Sequence, residues 1–336
     1  MIEIADIAAS LLPVFIFLAV LIFLDSFKLV KFRIILITIV IGGLAALASM
    51  FINKGFLNYL PVSVLVFSQY ISPLIEESLK AIFPIYLLKS KRIGFMVDGA
   101  IFGFAVGAGF ALIENIYYLS ALDNQNLLLW IIRGFGTAVM HGGTTAAMTI
   151  LSKYLSERYK NEKLIIFIPG LIIAYVIHSF FNHFFFSPFI TTVLQITSLP
   201  LIMTLIFSQS EKGLREWLET GFDTDMNLLE YINTGNIKQT KVGEYLYSLK
   251  NQFPGEIVVD MLNYLRLQLE LAVRAKGILL MQEAGFDTPV DPEIKATFQE
   301  LNYLEKSIGR TGKLAIAPLL HTSSKDLWQL HMLKSE

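Results

Sequence analysis

Apolar runs long enough to cross a lipid bilayer recur along the first 208 residues of this chain, and none follows them. A transmembrane helix needs about 20 predominantly apolar residues, so the runs predict an all-α, polytopic transmembrane helix bundle of about seven spans. Only 16% of the residues are charged, fewer than the roughly 25% of a soluble domain. The runs cover residues 7–24, 34–51, 60–88, 99–118, 127–152, 164–186 and 189–208.

The run 60–88 is long for a single span and contains Pro73. Proline removes a backbone donor and clashes with the preceding turn. We therefore expect a kinked or broken helix here, and the alternative is a pair of elements of which one is re-entrant.

Basic residues fall in alternate loops, and this distribution predicts the orientation. Seven spans with the N-terminus outside put these basic loops in the cytoplasm, with Lys54 the main exception, as expected of a multi-pass protein of the cytoplasmic membrane. The N-terminus is acidic and lacks the basic start of a cleavable signal peptide, so the first span is expected to be retained. The basic residues, loop by loop, are Lys28, Lys31 and Arg33; Lys89, Lys91 and Arg92; Lys153, Arg158, Lys160 and Lys163; Lys212 and Arg215.

Residues 209–336 are predicted to form a soluble, cytoplasmic helical domain after the transmembrane domain of residues 1–208. This segment has 14 Lys and Arg against 18 Asp and Glu, and glycines and prolines divide it into helical stretches. It shows no catalytic pattern. Three roles are open for it: regulating access to a site, recruiting substrate, or mediating a homo-oligomer.

Several classes of site are excluded by what the sequence lacks. There are no cysteines, so there are no disulfides, thiolate ligands or cysteine nucleophiles. The H-E-x-x-H and G-x-S-x-G patterns and the intramembrane aspartyl pattern G-x-G-D are missing. A net charge of −1 argues against nucleic acid as a partner. What remains is carboxylate, imidazole and amide chemistry, which can activate water and stabilise a tetrahedral intermediate.

Ionisable side chains inside apolar spans are functional candidates because charge in hydrocarbon is costly. Glu76 and Lys80 are four residues apart and share a helix face, so we expect them to pair. Glu77 points about 100° away and needs another partner. Two adjacent carboxylates suit a general base beside an ion pair, and which of them is the base stays open. The alternative is that these charges end a helix among lipid headgroups.

Glu114 follows a stripe of small residues that lets helices approach closely, so we expect its carboxylate to be buried against protein. The alternative is a charge near a loop at the outer end of the span. The stripe comprises Gly99, Gly103, Gly107 and Ala111, and Phe110 and Asn115 lie beside Glu114.

Two histidines lie in the following spans. His141 projects from a face of small and polar residues, unless it is a core histidine bonded to a carbonyl. His178 and Asn182 are four residues apart and can donate two hydrogen bonds to one oxyanion. His183 is expected at a helix interface, and Arg133 is expected to extend toward the headgroups.

In their order along the chain, these residues resemble the PrsW family of intramembrane proteases, which is related to the CAAX-processing prenyl endopeptidases. The resemblance covers roughly residues 60–186. Its motifs are E-E-x-x-K at Glu76, Glu77 and Lys80; F-x-x-x-E-N at Phe110, Glu114 and Asn115; a histidine at His141; and H-x-x-x-N at His178 and Asn182.

The resemblance implies an endopeptidase that hydrolyses peptide bonds of membrane-embedded or membrane-proximal proteins. By analogy with the CAAX proteases, Glu76 would activate water, and His178 and Asn182 would form the oxyanion hole. A metal-free mechanism is preferred. The alternative is a zinc ion bound by Glu114, His141 and His178.

The implied substrate is a single-span membrane protein, similar to an anti-sigma factor, in the lipid bilayer. Two other functions are compatible with buried Glu and His residues. One is a proton- or ion-coupled transporter, against which the lack of an internal repeat argues. The other is a non-catalytic membrane scaffold.

Overall fold

A computed structural model describes residues 4–23, 25, 30–121, 127–159, 163–286, 291–320 and 324–334. These residues form helices and connecting turns and contain no strand, which confirms the predicted all-α class. The chain divides into two compact units, Met1–Glu211 and Lys212–Glu336. Among residues used above, Leu24, Lys28 and Lys160 lie outside the described part of the chain.

The first unit contains most of the apolar helices. Five helices of the described chain are long and apolar enough to cross a membrane: Ala5–Phe23, Phe32–Tyr59, Met96–Ala121, Leu164–Asn182 and Pro188–Asn233. The helices are α1 (Ile4–Phe23), α2 (Phe32–Tyr59), α3 (Val64–Val66), α4 (Ser72–Lys89), α5 (Met96–Ala121), α6 (Leu127–Tyr159), α7 (Ile168–Asn182) and α8 (Pro188–Asn233).

The predicted runs 60–88 and 127–152 are helical but do not belong to these five. They fold mainly as α4 and α6, whose polar and ionisable side chains lower their hydropathy. The count of seven spans therefore stays a prediction.

The helical geometry changes just before Pro73, as its position predicts. Phe67–Ile71 forms a π-helix between α3 and α4, and Pro73 is in the first turn of α4, where its missing N–H costs least. Short π-helical segments inside helices frequently lie at functional sites. The 60–88 element is thus a helix of interrupted geometry, whose regular part, α4, carries Glu76 and Lys80 and ends at Lys89.

The small-residue stripe on α5 allows this helix to pack closely against α6. A Cβ atom on Gly107 would overlap the backbone carbonyl of His141, and one on Gly103 would lie 2.7 Å from Cα of Ala146. On the opposite side, Gly109 lies against the backbone of Ile39 on α2. The α5 helix is therefore held between α2 and α6, and the contact at Gly107 brings α5 directly against the backbone of His141.

The second unit has its own hydrophobic core, centred on α10 and α11. A buried ion pair joins Lys276 Nζ to Asp225 Oδ2 at 2.6 Å. Gly309 has a positive φ of 63° and kinks α11. That this unit is soluble and cytoplasmic stays a prediction. Its further helices are α9 (Lys241–Ser248), α10 (Gly255–Glu283), α11 (Glu293–Ile316) and α12 (Ser324–Lys334).

Candidate active site

Glu77 on α4 is the centre of a buried polar cluster. Its Oε1 accepts hydrogen bonds from Lys80 Nζ at 2.6 Å and from Thr144 Oγ1 at 3.3 Å, and lies 2.7 Å from His178 Nδ1. The prediction that Glu76 pairs with Lys80 is wrong. Lys80 instead pairs with Glu77 at i,i+3 spacing, because α6 and α7 supply further partners on the side of the helix that Glu77 faces.

Lys80 connects this cluster to His141 on α6. Its Nζ lies 3.1 Å from His141 Nδ1 and 5.1 Å from the ring centre of Phe110. The Lys80 side chain is completely buried. On its other side, His141 Nε2 lies 2.6 Å from Glu114 Oε2. His141 therefore bridges the Lys80 ammonium and the Glu114 carboxylate rather than bonding to a backbone carbonyl.

Glu76 faces the same group of residues from another side. Its Oε1 accepts hydrogen bonds from Ser72 Oγ at 2.6 Å and from Asn53 Nδ2 at 3.2 Å. Its Oε2 lies 3.7 Å from His178 Nε2, and the rings of His141 and His178 are 4.9 Å apart in an edge-to-face arrangement. Helices α2, α4, α5, α6 and α7 thus all contribute side chains to one site.

A family model, described as the PrsW family of intramembrane metalloproteases, matches residues 31–207, more than half of the chain. The chain belongs to the PrsW family. It is therefore a membrane protein and an intramembrane protease, which confirms the predicted class rather than the transporter or the scaffold. Neither the curated proteins nor the solved structures gave a match.

The family description implies a metal, and the residues of this PrsW protease fit one. Glu76, His141 and His178 place one ligand atom each within 4.8 Å of one another. Two histidines and one glutamate are a common zinc ligand set in hydrolases. This group has Glu76 where the sequence suggested Glu114, which lies beside it in contact with His141.

The surroundings of the two histidines differ. Nδ1 of His178 lies 2.7 Å from Glu77 and Nε2 lies 3.7 Å from Glu76. An ionised Glu77 can only accept, so Nδ1 donates to it and Nε2 of a neutral ring carries the lone pair. Such carboxylate–histidine contacts orient metal ligands in many sites. His141 has both ring nitrogens engaged, by Lys80 and by Glu114. It can bind a metal only by exchanging one of these contacts.

The charge of the site also suits a cation. Three carboxylates, those of Glu76, Glu77 and Glu114, face two permanent positive charges, those of Lys80 and Arg133. If all three carboxylates are ionised and both histidines are neutral, the negative charges outnumber the positive charges by one. A cation among these carboxylates would reduce the repulsion between them, and this favours a metal site without requiring one.

Arg133 contributes a contact that the sequence analysis missed. Its guanidinium lies 3.4 Å from Glu114 Oε1 and 3.6 Å from the ring centre of Tyr118, and its position relative to the headgroups stays a prediction. Because α5 and α6 pack closely, the arginine near the start of α6 reaches Glu114 on α5. In the sequence, the charge of Arg133 within an apolar run indicated that it needs a partner.

Asn182 lies on the predicted face but has another partner. Its Nδ2 donates to the backbone oxygen of Ser68, 2.9 Å away in the π-helix, and Ser179 Oγ donates to the oxygen of Gln69 at 2.6 Å. Two side chains of α7 thus hold the element that precedes α4. His183 packs edge-to-face against Tyr70 of the same element, at a helix interface as expected.

Asn115 joins three helices. Its Nδ2 donates to the backbone oxygen of Ser10 on α1 at 2.9 Å, and its Oδ1 accepts from Thr137 Oγ1 on α6 at 3.0 Å. Asn115 is fully buried. These contacts support the helix that carries Glu114 without reaching the ionisable cluster.

Proposed function

We propose that this PrsW protease hydrolyses peptide bonds of single-span membrane proteins, within or next to their membrane segment, using a zinc ion. One observation carries the proposal: ligand atoms of Glu76, His141 and His178 lie within 4.8 Å of one another inside a unit of apolar helices. The proposed setting is the cytoplasmic membrane, with the N-terminus outside and residues 209–336 in the cytoplasm.

Glu76, His141 and His178 would hold the metal. A bound zinc ion would supply Lewis-acid polarisation of the peptide carbonyl and a water of lowered pKa. Ser72 and Asn53 orient the Glu76 carboxylate through two hydrogen bonds to Oε1, which leaves Oε2 directed toward His178. Glu77 orients His178 in the same way.

Glu114 is the proposed general base. Its side chain keeps 22% exposure, whereas that of Glu77 keeps 1%, and a base must meet water. Arg133 and His141 each contact one of its oxygens. In this assignment Glu76 and Glu114 exchange the roles that the family resemblance implied for them.

The family resemblance implied that His178 and Asn182 form an oxyanion hole. The contacts of both residues support other roles. Asn182 already donates to Ser68, and the two ring nitrogens of His178 face Glu77 and Glu76. We assign His178 to metal binding and Asn182 to positioning the π-helix.

The proposed substrate is a single-span protein similar to an anti-sigma factor. Residues 209–336 lie outside the family match. Regulation of the site, substrate recruitment and homo-oligomer formation remain open as their proposed role.

The test compares membrane proteomes of cells that express the wild type, Glu76→Gln or Glu114→Gln. We expect truncated single-span proteins with new termini near their membrane segment only with the wild type. Purified wild type should contain about one zinc per chain, Glu76→Gln should lose it, and Glu114→Gln should retain it while inactive. Normal cleavage by both variants would refute the proposal, and zinc loss in Glu114→Gln with retention in Glu76→Gln would reverse the two roles.

A further inference from the structure

The first unit also contains a cavity that is not part of the site described above. A cavity of about 390 Å³ lies between α6, α7 and α8. Its volume falls within the roughly 300–1,000 Å³ of typical ligand pockets. The walls are mainly apolar and include Ala147 on α6, Ile177 on α7 and Leu199 and Ile202 on α8.

The cavity lies next to the ionisable cluster and shares one residue with it. Thr144 lines it, and the same hydroxyl group contacts both Glu77 and Lys80. Ile177, which also lines it, precedes His178 directly in the chain. A molecule in the cavity would therefore reach Thr144, which is in contact with the cluster.

One polar group in this apolar cavity lacks a partner. Gln195 on α8 lines it, and the Oε1 atom of Gln195 is buried with no hydrogen bond to any residue that the structure describes. A buried acceptor without a donor costs roughly 1–3 kcal/mol. A donor from a bound molecule would remove that cost once the Gln195 side chain turns its Oε1 atom toward the cavity.

We propose that this cavity binds the apolar side chains of the substrate segment next to the scissile bond, and that Gln195 accepts a hydrogen bond from its unwound backbone. The inference rests on the proposed function and specifies where that substrate lies. A peptide bond can be hydrolysed only after its helix unwinds, and unwound backbone N–H groups in an apolar medium need acceptors.

The occupant is a peptide rather than a lipid chain. Both fit apolar walls, but an acyl chain has no donor for Gln195. A peptide supplies both the apolar side chains and the N–H group. Contact with the ionisable cluster through Thr144 likewise favours the molecule on which that cluster acts.

Because the chain has no cysteine, single thiols test this directly. Ala147→Cys places a thiol in the cavity wall, and Leu201→Cys places one on α8 at a residue that is 65% exposed and is not part of the cavity lining. The probe is a synthetic Ala/Leu peptide of about 20 residues with one central cysteine. Protein and peptide are combined in phosphatidylcholine–phosphatidylglycerol vesicles and oxidised with diamide, since a disulfide requires Cα atoms within about 7 Å.

We expect the disulfide at Ala147→Cys to form roughly tenfold faster than at Leu201→Cys, although exposure alone would favour Leu201→Cys. Adding Gln195→Leu to Ala147→Cys should slow the reaction to the rate of the control. Equal or faster reaction at Leu201→Cys overturns the proposal. The proposal is also overturned if Ala147→Cys reacts with a thiol-reactive phosphatidylcholine and does not react with the peptide.

An unchanged rate in the Gln195→Leu variant would overturn the role of Gln195. The reaction requires binding and no hydrolysis, so it succeeds or fails independently of the zinc and cleavage measurements. Thermal unfolding of each variant shows that the protein is folded.

Discussion

His178 Nδ1 and Glu77 Oε1 lie 2.7 Å apart, although 101 residues separate them in the chain. An ionised carboxylate only accepts hydrogen bonds, so the histidine proton is on Nδ1. The lone pair of a neutral ring is then on Nε2, on the side of Glu76. This contact makes His178 suitable as a ligand and makes Glu77 a positioning residue.

We expect Glu77→Gln to weaken zinc affinity by about 10–100-fold, the usual effect of losing a carboxylate that orients a ligating histidine. Glutamine preserves the size of the side chain but not its charge. Titration of purified protein against a competing chelator measures the affinity. Glu157→Gln is the matched control, because Glu157 pairs with Lys153 near the end of α6. An unaltered affinity in Glu77→Gln would exclude this role.

Lys80→Met should lower the free energy of unfolding by about 3–5 kcal/mol, because it leaves the buried Glu77 carboxylate without its closest cation. The double variant Lys80→Met/Glu77→Gln should recover part of this loss, since the unpaired charge is then absent. Denaturant unfolding in detergent micelles measures both. If the double variant loses as much stability, relative to the wild type, as the single variants Lys80→Met and Glu77→Gln lose together, the ion pair does not explain the effect.

The sequence does not determine which of Glu76 and Glu77 pairs with Lys80. Helical spacing places Lys80 within reach of both residues, because i,i+3 and i,i+4 neighbours share a face. The choice between them depends on His178 and Thr144, which come from other helices. Spacing along one helix contains no information about those contacts.

Features that depend on one helix could be predicted, and features that depend on packing could not. The apolar runs predicted the helical class, and the stripe through Gly103 and Gly107 predicted a close helix contact, but not that the partner of α5 is α6. Ser72 and Asn53 are ordinary polar residues in sequence, and only the fold brings them to Glu76. Arg133 reaches Glu114 for the same reason.

Gly107→Ala should cost about 1–3 kcal/mol of stability and reduce cleavage, because a Cβ there overlaps the His141 carbonyl and α6 must move. Gly55→Ala is the control. It lies within α2 with no atom near its added methyl group, so alanine should stabilise the helix by up to about 1 kcal/mol. Thermal unfolding and zinc content are compared for both. Equal behaviour of the two variants would contradict the close contact at Gly107.

Asn182→Ala distinguishes a structural amide from a catalytic one. Loss of an oxyanion donor typically lowers kcat by about 10²–10³-fold with little change in stability. Loss of the hydrogen bond to Ser68 should instead cost about 1 kcal/mol of unfolding free energy, together with a smaller loss of activity. Ser179→Ala removes the neighbouring bond to Gln69, so the two variants should behave alike in unfolding and in cleavage. A large fall in kcat for Asn182→Ala alone, at unchanged stability, would show that Asn182 is an oxyanion-hole donor.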